Sequence, residues 1–110
     1  MVKVSQLVDN AHFDFLSTGD LSLEIEDVFI GDLLSWVMAK GSSNNVWITI
    51  QAHLNVIAVA LLKEFSCIII CDDANVSDDV INKAREENVN LIHTSLSAYQ
   101  CAKYFVSLEI

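Results

Sequence analysis

The chain is 110 residues long and sets 6 Lys plus Arg against 15 Asp plus Glu, a formal charge of −9, with 53% of its residues apolar. A domain of this size buries roughly two-thirds of the surface its unfolded chain exposes, so this composition fills a core and excludes disorder. The acidic balance and the lack of a basic arm exclude unaided binding to nucleic acid or an anionic membrane, both of which reward clustered Lys and Arg.

Ser5 precedes Leu7, Val8 and Ala11, a pattern that predicts a helix of about two turns capped by the Ser5 hydroxyl. His12-Phe13-Asp14-Phe15-Leu16 alternates and predicts a strand ending at the turn cluster Ser17-Thr18-Gly19-Asp20. A second strand follows over residues 23–30, with Leu23, Ile25 and Phe29 on one face and Glu24 and Glu26 on the other. Residues 32–40 have an acidic start, a cationic end and Gly41 just beyond, the order favoured by the helix dipole and a left-handed cap.

Asn44 and Asn45 lead into Val46-Trp47-Ile48-Thr49-Ile50, a β-branched and aromatic strand. Residues 52–65 are too long an apolar run for one core strand and predict a helix. Ser66-Cys67-Ile68-Ile69-Ile70-Cys71 is apolar at every position after Ser66, as in a central parallel strand covered on both faces. Ser77 caps a predicted helix from 78 to about 88 with Val80, Ile81 and Ala84 as its inner stripe. Val89-Asn90-Leu91-Ile92-His93 is the last predicted strand, and Ser95 or Ser97 caps the closing helix. Strand and helix alternate from residue 44 with short joints, no Pro and only three Gly. The expected architecture is therefore one α/β domain spanning 1–110, a three-layer α/β/α sandwich around a mostly parallel sheet of about five strands. The first two strands extend that sheet in an orientation that the pattern leaves open.

Mean hydropathy is +0.42, yet the longest apolar stretch, residues 46–62, is interrupted by Gln51, His53 and Asn55, short of the ~20 apolar residues a membrane span needs. The first residues, Met1-Val2-Lys3-Val4, lack the apolar core and cleavage site of a signal peptide. An odd count of Cys, at 67, 71 and 101, argues against a disulfide framework, and the reducing cytoplasm is the expected compartment. Cys67 and Cys71 on one strand lie ~13 Å apart, too far to share a zinc ion. No metal and no cofactor is expected.

Ligands of open parallel sheets bind outside the carboxyl ends of the strands, which points to the turns after Ile50, Cys71 and His93. The first carries Thr49, Gln51, His53 and Asn55 around a helix start without Ser, Thr or Asp at the usual cap position. The free N–H groups there suit an anion or a carbonyl, and Gln51 and His53 add donors. Equally, Gln51 caps the helix and Thr49 and His53 bond locally. The second turn, residues 72–79, is rich in Asp, but its spacing places Asp78 where a calcium loop needs Gly and Ala84 where it needs Glu. Helix capping also accounts for the third, with His93, Thr94, Ser95 and Ser97. Phosphate-loop, nucleophile-elbow and metalloprotease motifs are missing. An enzymatic alternative would use His53 as general base, with Asp32 and Ser35 as distant partners.

The helix over residues 52–65 is apolar nearly all round, because Val56, Val59, Ala60 and Leu62 lie off the stripe formed by Leu54, Ile57, Ala58, Leu61 and Phe65. Such a helix must be covered on more than one side, by neighbouring helices or by a second subunit, and the second places Val56, Val59 and Ala60 in a homodimer interface.

The segment Gly31-Asp32-Leu33-Leu34-Ser35-Trp36-Val37-Met38, followed by Val46-Trp47-Ile48-Thr49-Ile50-Gln51-Ala52-His53-Leu54-Asn55-Val56-Ile57-Ala58-Val59-Ala60, resembles the DRTGG domain family. Ile68-Ile69-Ile70, Lys83-Ala84 and Thr94-Ser95-Leu96-Ser97-Ala98-Tyr99 resemble its later elements. The family's Thr-Gly-Gly is expected at Glu26-Asp27-Val28, where this chain has lost it. Similar domains occur in HPr kinase/phosphorylase, in phosphotransacetylases and beside CBS domains in pyrophosphatases. The resemblance implies a dimerising regulatory or assembly module without catalytic residues of its own, docking to a second copy or to a larger enzyme or signalling protein.

Overall fold

The computed structural model of residues 1–110 has a five-stranded sheet in the order β1-β5-β4-β3-β2, where β1 is Asp14–Ser17, β2 Asp27–Ile30, β3 Asn45–Thr49, β4 Cys67–Ile70 and β5 Leu91–His93. Strands β2 to β5 are parallel, and β1 pairs antiparallel with β5 at one edge. The two strands whose orientation the sequence left open thus lie at opposite edges of the sheet. Four helices complete the sandwich: α1 Leu34–Lys40, α2 Leu54–Lys63, α3 Asp78–Glu86 and α4 Ala98–Ser107.

The central strands are apolar on both faces because each face has its own cover. Trp47, Ile68, Ile70 and Leu91 point to one core, with Val37 of α1, Val56, Ile57, Val59 and Ala60 of α2, and Val80 and Ala84 of α3. Val46, Ile48, Cys67, Ile69, Cys71 and Ile92 point to the other, with Cys101 and Phe105 of α4 and with Val4, Leu7, Phe13 and Ile25 from the amino-terminal segments. The chain steps from β2 to β3, β4 and β5 always in one direction, so right-handed crossovers put α1, α2 and α3 on the same face. Only after β5 does it cross, as α4, to the opposite face.

That arrangement corrects the dimer interface expected above. α2 is the middle of three helices, packed between α1 and α3 over the sheet. Val56, Val59 and Ala60 are 0%, 7% and 3% exposed within a single protomer, so they belong to its core and cannot meet a second copy. The exposed apolar residues of α2 are Leu54, Ala58, Leu61 and Leu62.

Smaller departures have local causes. The expected first helix is a single 3-10 turn, Val4–Leu7, and the Gln6 side chain accepts from the Lys3 N–H at 2.8 Å. α1 begins at Leu34 rather than Asp32, because the Asp32 carboxylate is engaged across the sheet end. Gly41 has an ordinary φ of −66°; it is small because a Cβ there would stand 2.5 Å from the Phe65 ring. The left-handed helix cap falls instead on Glu64 of α2, at φ 56°. Asn90, 2% exposed, donates to the carbonyls of Asp20 (2.9 Å) and Ser66 (3.1 Å) and accepts from the Gly19 N–H (2.7 Å), tying three loops at the amino end of the sheet.

Candidate functional site

Thr49, Gln51, His53 and Asn55 do share one turn at the carboxyl end of β3, where local bonding takes up the Thr49 hydroxyl and His53 Nδ1. The Thr49 hydroxyl, 1% exposed, donates to Asp32 Oδ1 at 2.8 Å and accepts from the Gln51 N–H at 3.1 Å. Asp32 Oδ1 also accepts from the Ile50 N–H at 2.9 Å. His53, not Gln51, is the N-cap of α2: its Nδ1 accepts from the Asn55 N–H at 3.2 Å and its carbonyl from the Val56 N–H at 2.9 Å. The helix start is therefore capped, with a carboxylate beside it, and offers an anion little. Thr49 fixes the turn and does not face solvent, while Gln51, His53 and Asn55 remain exposed. The bonded partner of His53 is a backbone amide, and Asp32 Oδ1 is bonded to Thr49 and Ile50 rather than to His53.

Strand order explains why no crevice opens here. The turns after β3 and β4 both lead to helices on the same face, so they run side by side. The turns after β4 and β5 diverge, to α3 on one face and α4 on the other, and this is the switch point at which open sheets form crevices. A cavity of about 350 Å³ lies there, lined by Leu16, Asp73, Ala74, Asn75, Val76, Ile81 and His93. A smaller one of about 200 Å³ lies at the amino end of the sheet, against Ala60, Leu61, Phe65, Asn88 and Asn90. Neither touches residues 49–55.

Two paired loops build the larger cavity's rim. The Asp72 N–H donates to the Leu96 carbonyl (2.8 Å), the Asp73 N–H to the Thr94 carbonyl (3.0 Å) and the Thr94 N–H to the Ile70 carbonyl (3.0 Å). On this frame His93 Nε2 lies 3.1 Å from Asp73 Oδ1, and its Nδ1 lies 3.9 Å from Asp14 Oδ2. Sequence reasoning assigned both turns to capping, because neither the spacing of Asp73 and His93 nor that of Asp14 and His93 shows that the pairing of β1 and β4 with β5 brings them together.

Asp72 and Asp73 are consecutive left-handed residues, at φ 56° and 54°. Paired glycines would serve that geometry without a Cβ penalty, whereas Asp tolerates it. At Glu26-Asp27-Val28, where the sequence suggested the lost Thr-Gly-Gly, no residue has positive φ, and Asp27 and Val28 pair as strand with Asn45 and Val46. Residues 72 and 73 are thus the consecutive pair whose backbone a glycine pair would suit. Beneath this turn, burial pushes the Cys71 thiol up to about 11, helped by the Asp72 and Asp32 carboxylates, and pushes Cys101 up to about 12, helped by Cys71 and Asp72. Burial alone raises Cys67 far above the usual thiol range. All three are free, buried and protonated at neutral pH.

Four parallel strands with three helices on one face and one on the other define a small, doubly covered α/β/α domain. The sequence model of the DRTGG domain matches residues 7–107, and the chain belongs to that family. Among solved structures it is similar to the CBS and DRTGG domains of the regulatory region of Clostridium perfringens pyrophosphatase, a crystal structure complexed with the activator diadenosine tetraphosphate. The TM-score is 0.74 at 12% identity. The match covers 93% of this chain and 45% of that one, so this chain spans just under half the length of its neighbour. At that identity the likeness is one of fold. No curated relative matches. No helix is long and apolar enough to cross a membrane.

Proposed function

We propose that this domain is a non-catalytic regulatory or assembly module of the cytoplasm that works by association, first of all with a second copy of itself. The carrying observation is the exposed apolar surface at the β2 edge. Ile30 ends that edge strand at 49% exposure, Leu33 and Trp36 lie one turn apart at 68% and 54%, and Ile50 and Leu54 at the head of α2 are 50% and 46% exposed. β2 has an unpaired outer edge, which favours augmentation by another strand. Exposed Gln51, His53 and Asn55 supply a polar rim beside Ile50 and Leu54, a role that replaces direct capture of a small ligand at the capped helix start. Family membership supports a regulatory role, since the similar pyrophosphatase region is a regulatory one. A larger enzyme or signalling protein would use the same surface.

Sedimentation velocity from 1 to 200 μM tests the proposal. The wild type is expected to sediment as a dimer in the upper part of that range, and Leu33→Ser with Trp36→Ser as a monomer of unchanged circular dichroism. A wild type that remains monomeric throughout refutes self-association.

A further inference from the structure

We propose that the switch-point cavity between the β4 and β5 loops binds a small organic cation, an ammonium group carried on a short apolar stem. This site lies at the β1 side of the sheet and is independent of the association surface at the β2 edge. Its floor and walls are Leu16, Ala74, Val76 and Ile81, all half-buried, a surface that suits a branched alkyl stem. The polar groups gather at one side of the mouth. Asp73 and Asp14 flank the His93 ring at 3.1 and 3.9 Å, and their carboxylates are 76% and 74% exposed, free to accept further hydrogen bonds.

The charge of the surroundings selects the sign of the ligand. Asp72 adjoins Asp73 on the rim, and Asp78 and Asp79 open α3 between the wall residues Val76 and Ile81. The Arg85 Nε–H donates to the backbone carbonyl of the wall residue Leu16 at 3.2 Å. The His93 ring lies between the same two carboxylates that the ligand would use. A phosphate or carboxylate would meet the Asp73 carboxylate in the lining, with Asp14 across the His93 ring from it and Asp72 next to it in the chain. A metal ion is a poor fit, because the imidazole separates Asp14 from Asp73 and no three metal-ligating side chains converge. The rim hydrogen bonds through Leu96, Thr94 and Ile70 hold the acceptors in place before anything binds, which reduces the ordering cost.

Isopentylammonium is the probe, titrated into the 15N-labelled full chain at pH 7.5, with isopentanol as a neutral isostere and isopentyl phosphate as an anionic one. The expected result is a saturable set of shifts confined to the amides of residues 14–16, 72–76, 81 and 93, with a dissociation constant on the order of millimolar. Isopentanol binds about tenfold more weakly, the loss of one charge-assisted contact, and the phosphate does not bind. Asp73→Asn, which keeps the side-chain shape, weakens the ammonium about tenfold, while Ile81→Ala weakens ammonium and alcohol alike. Shifts spread over the acidic surface, equal affinity for the alcohol, or an unaffected Asp73→Asn with a native spectrum would each overturn the assignment. Neither outcome bears on dimerisation, which sedimentation reads separately.

Discussion

Replacing Asp32 with Ala removes the single oxygen that accepts from both the Thr49 hydroxyl (2.8 Å) and the Ile50 N–H (2.9 Å). Thr49 is 1% exposed, so its hydroxyl cannot turn to water when the acceptor is lost. A hydrogen bond to a charged group contributes about 1.5–3 kcal/mol, and the exposure of Asp32 puts each of these two at the low end, giving an expected loss of ~2–3 kcal/mol. For a domain of this length that lowers Tm by about 10 °C. Asp32→Asn keeps an acceptor oxygen in the same place and is expected to lose less than ~1 kcal/mol. Urea denaturation of wild type, Asp32→Ala, Asp32→Asn, Thr49→Val and Asp32→Ala/Thr49→Val closes a double-mutant cycle, with an expected Asp32–Thr49 coupling of ~1 kcal/mol. The same turn presents Ile50 and Leu54, so Asp32→Ala also weakens self-association without touching an interface side chain. Asp32→Ala within ~0.5 kcal/mol of wild type, or Asp32→Asn as damaging as Asp32→Ala, would refute this account of the turn.

Asn90→Ala strips three loops of a shared, fully buried partner and leaves the Gly19 N–H and the Asp20 and Ser66 carbonyls unmatched, an expected loss of ~3–4 kcal/mol in urea denaturation. His53→Asp puts a better acceptor at the α2 N-cap and adds charge at the favourable end of the dipole, so it is expected to gain ~0.5–1 kcal/mol by thermal unfolding, while His53→Ala loses a similar amount. Ser17→Ala removes a buried hydroxyl that has no hydrogen-bond partner and is expected to be neutral or stabilising by up to ~1 kcal/mol, against the usual loss at buried polar sites. The thiols of Cys71 and Cys101 stay protonated in the native state up to about 11 and 12, whereas the unfolded chain releases them near 8.5. Their contribution is thus intact below pH ~8.5 and falls by ~1.4 kcal/mol per pH unit per thiol above it, until the folded values are passed. Urea midpoints at pH 8, 9.5 and 10.5 should show that slope, reduced in a Cys71→Ala/Cys101→Ala variant.

Period and composition alone determined the layers and the identity of the central strands. Residues 46–48 and 67–70 are apolar on alternate and intervening positions alike, which requires cover on both faces, while of the two candidate caps Ser95 and Ser97 ahead of the last helix only the structure selects Ser97. The family was legible as well, from the run at residues 31–60 and its later echoes. Strand order was not, since hydrophobic alternation does not record which neighbour a strand chooses. That choice made α2 the middle of three helices on one face and buried Val56, Val59 and Ala60, residues whose pattern alone asks only for cover and not for whose. The same choice located the crevice. Pairing of β1 and β4 with β5 brings together Asp14, Asp73 and His93, separated by 59 and 20 residues along the chain, where two loops part to opposite faces of the sheet. A site made of such non-local pairings has no local signature, because its residues face one another only after the backbone hydrogen bonds of the sheet have fixed the register.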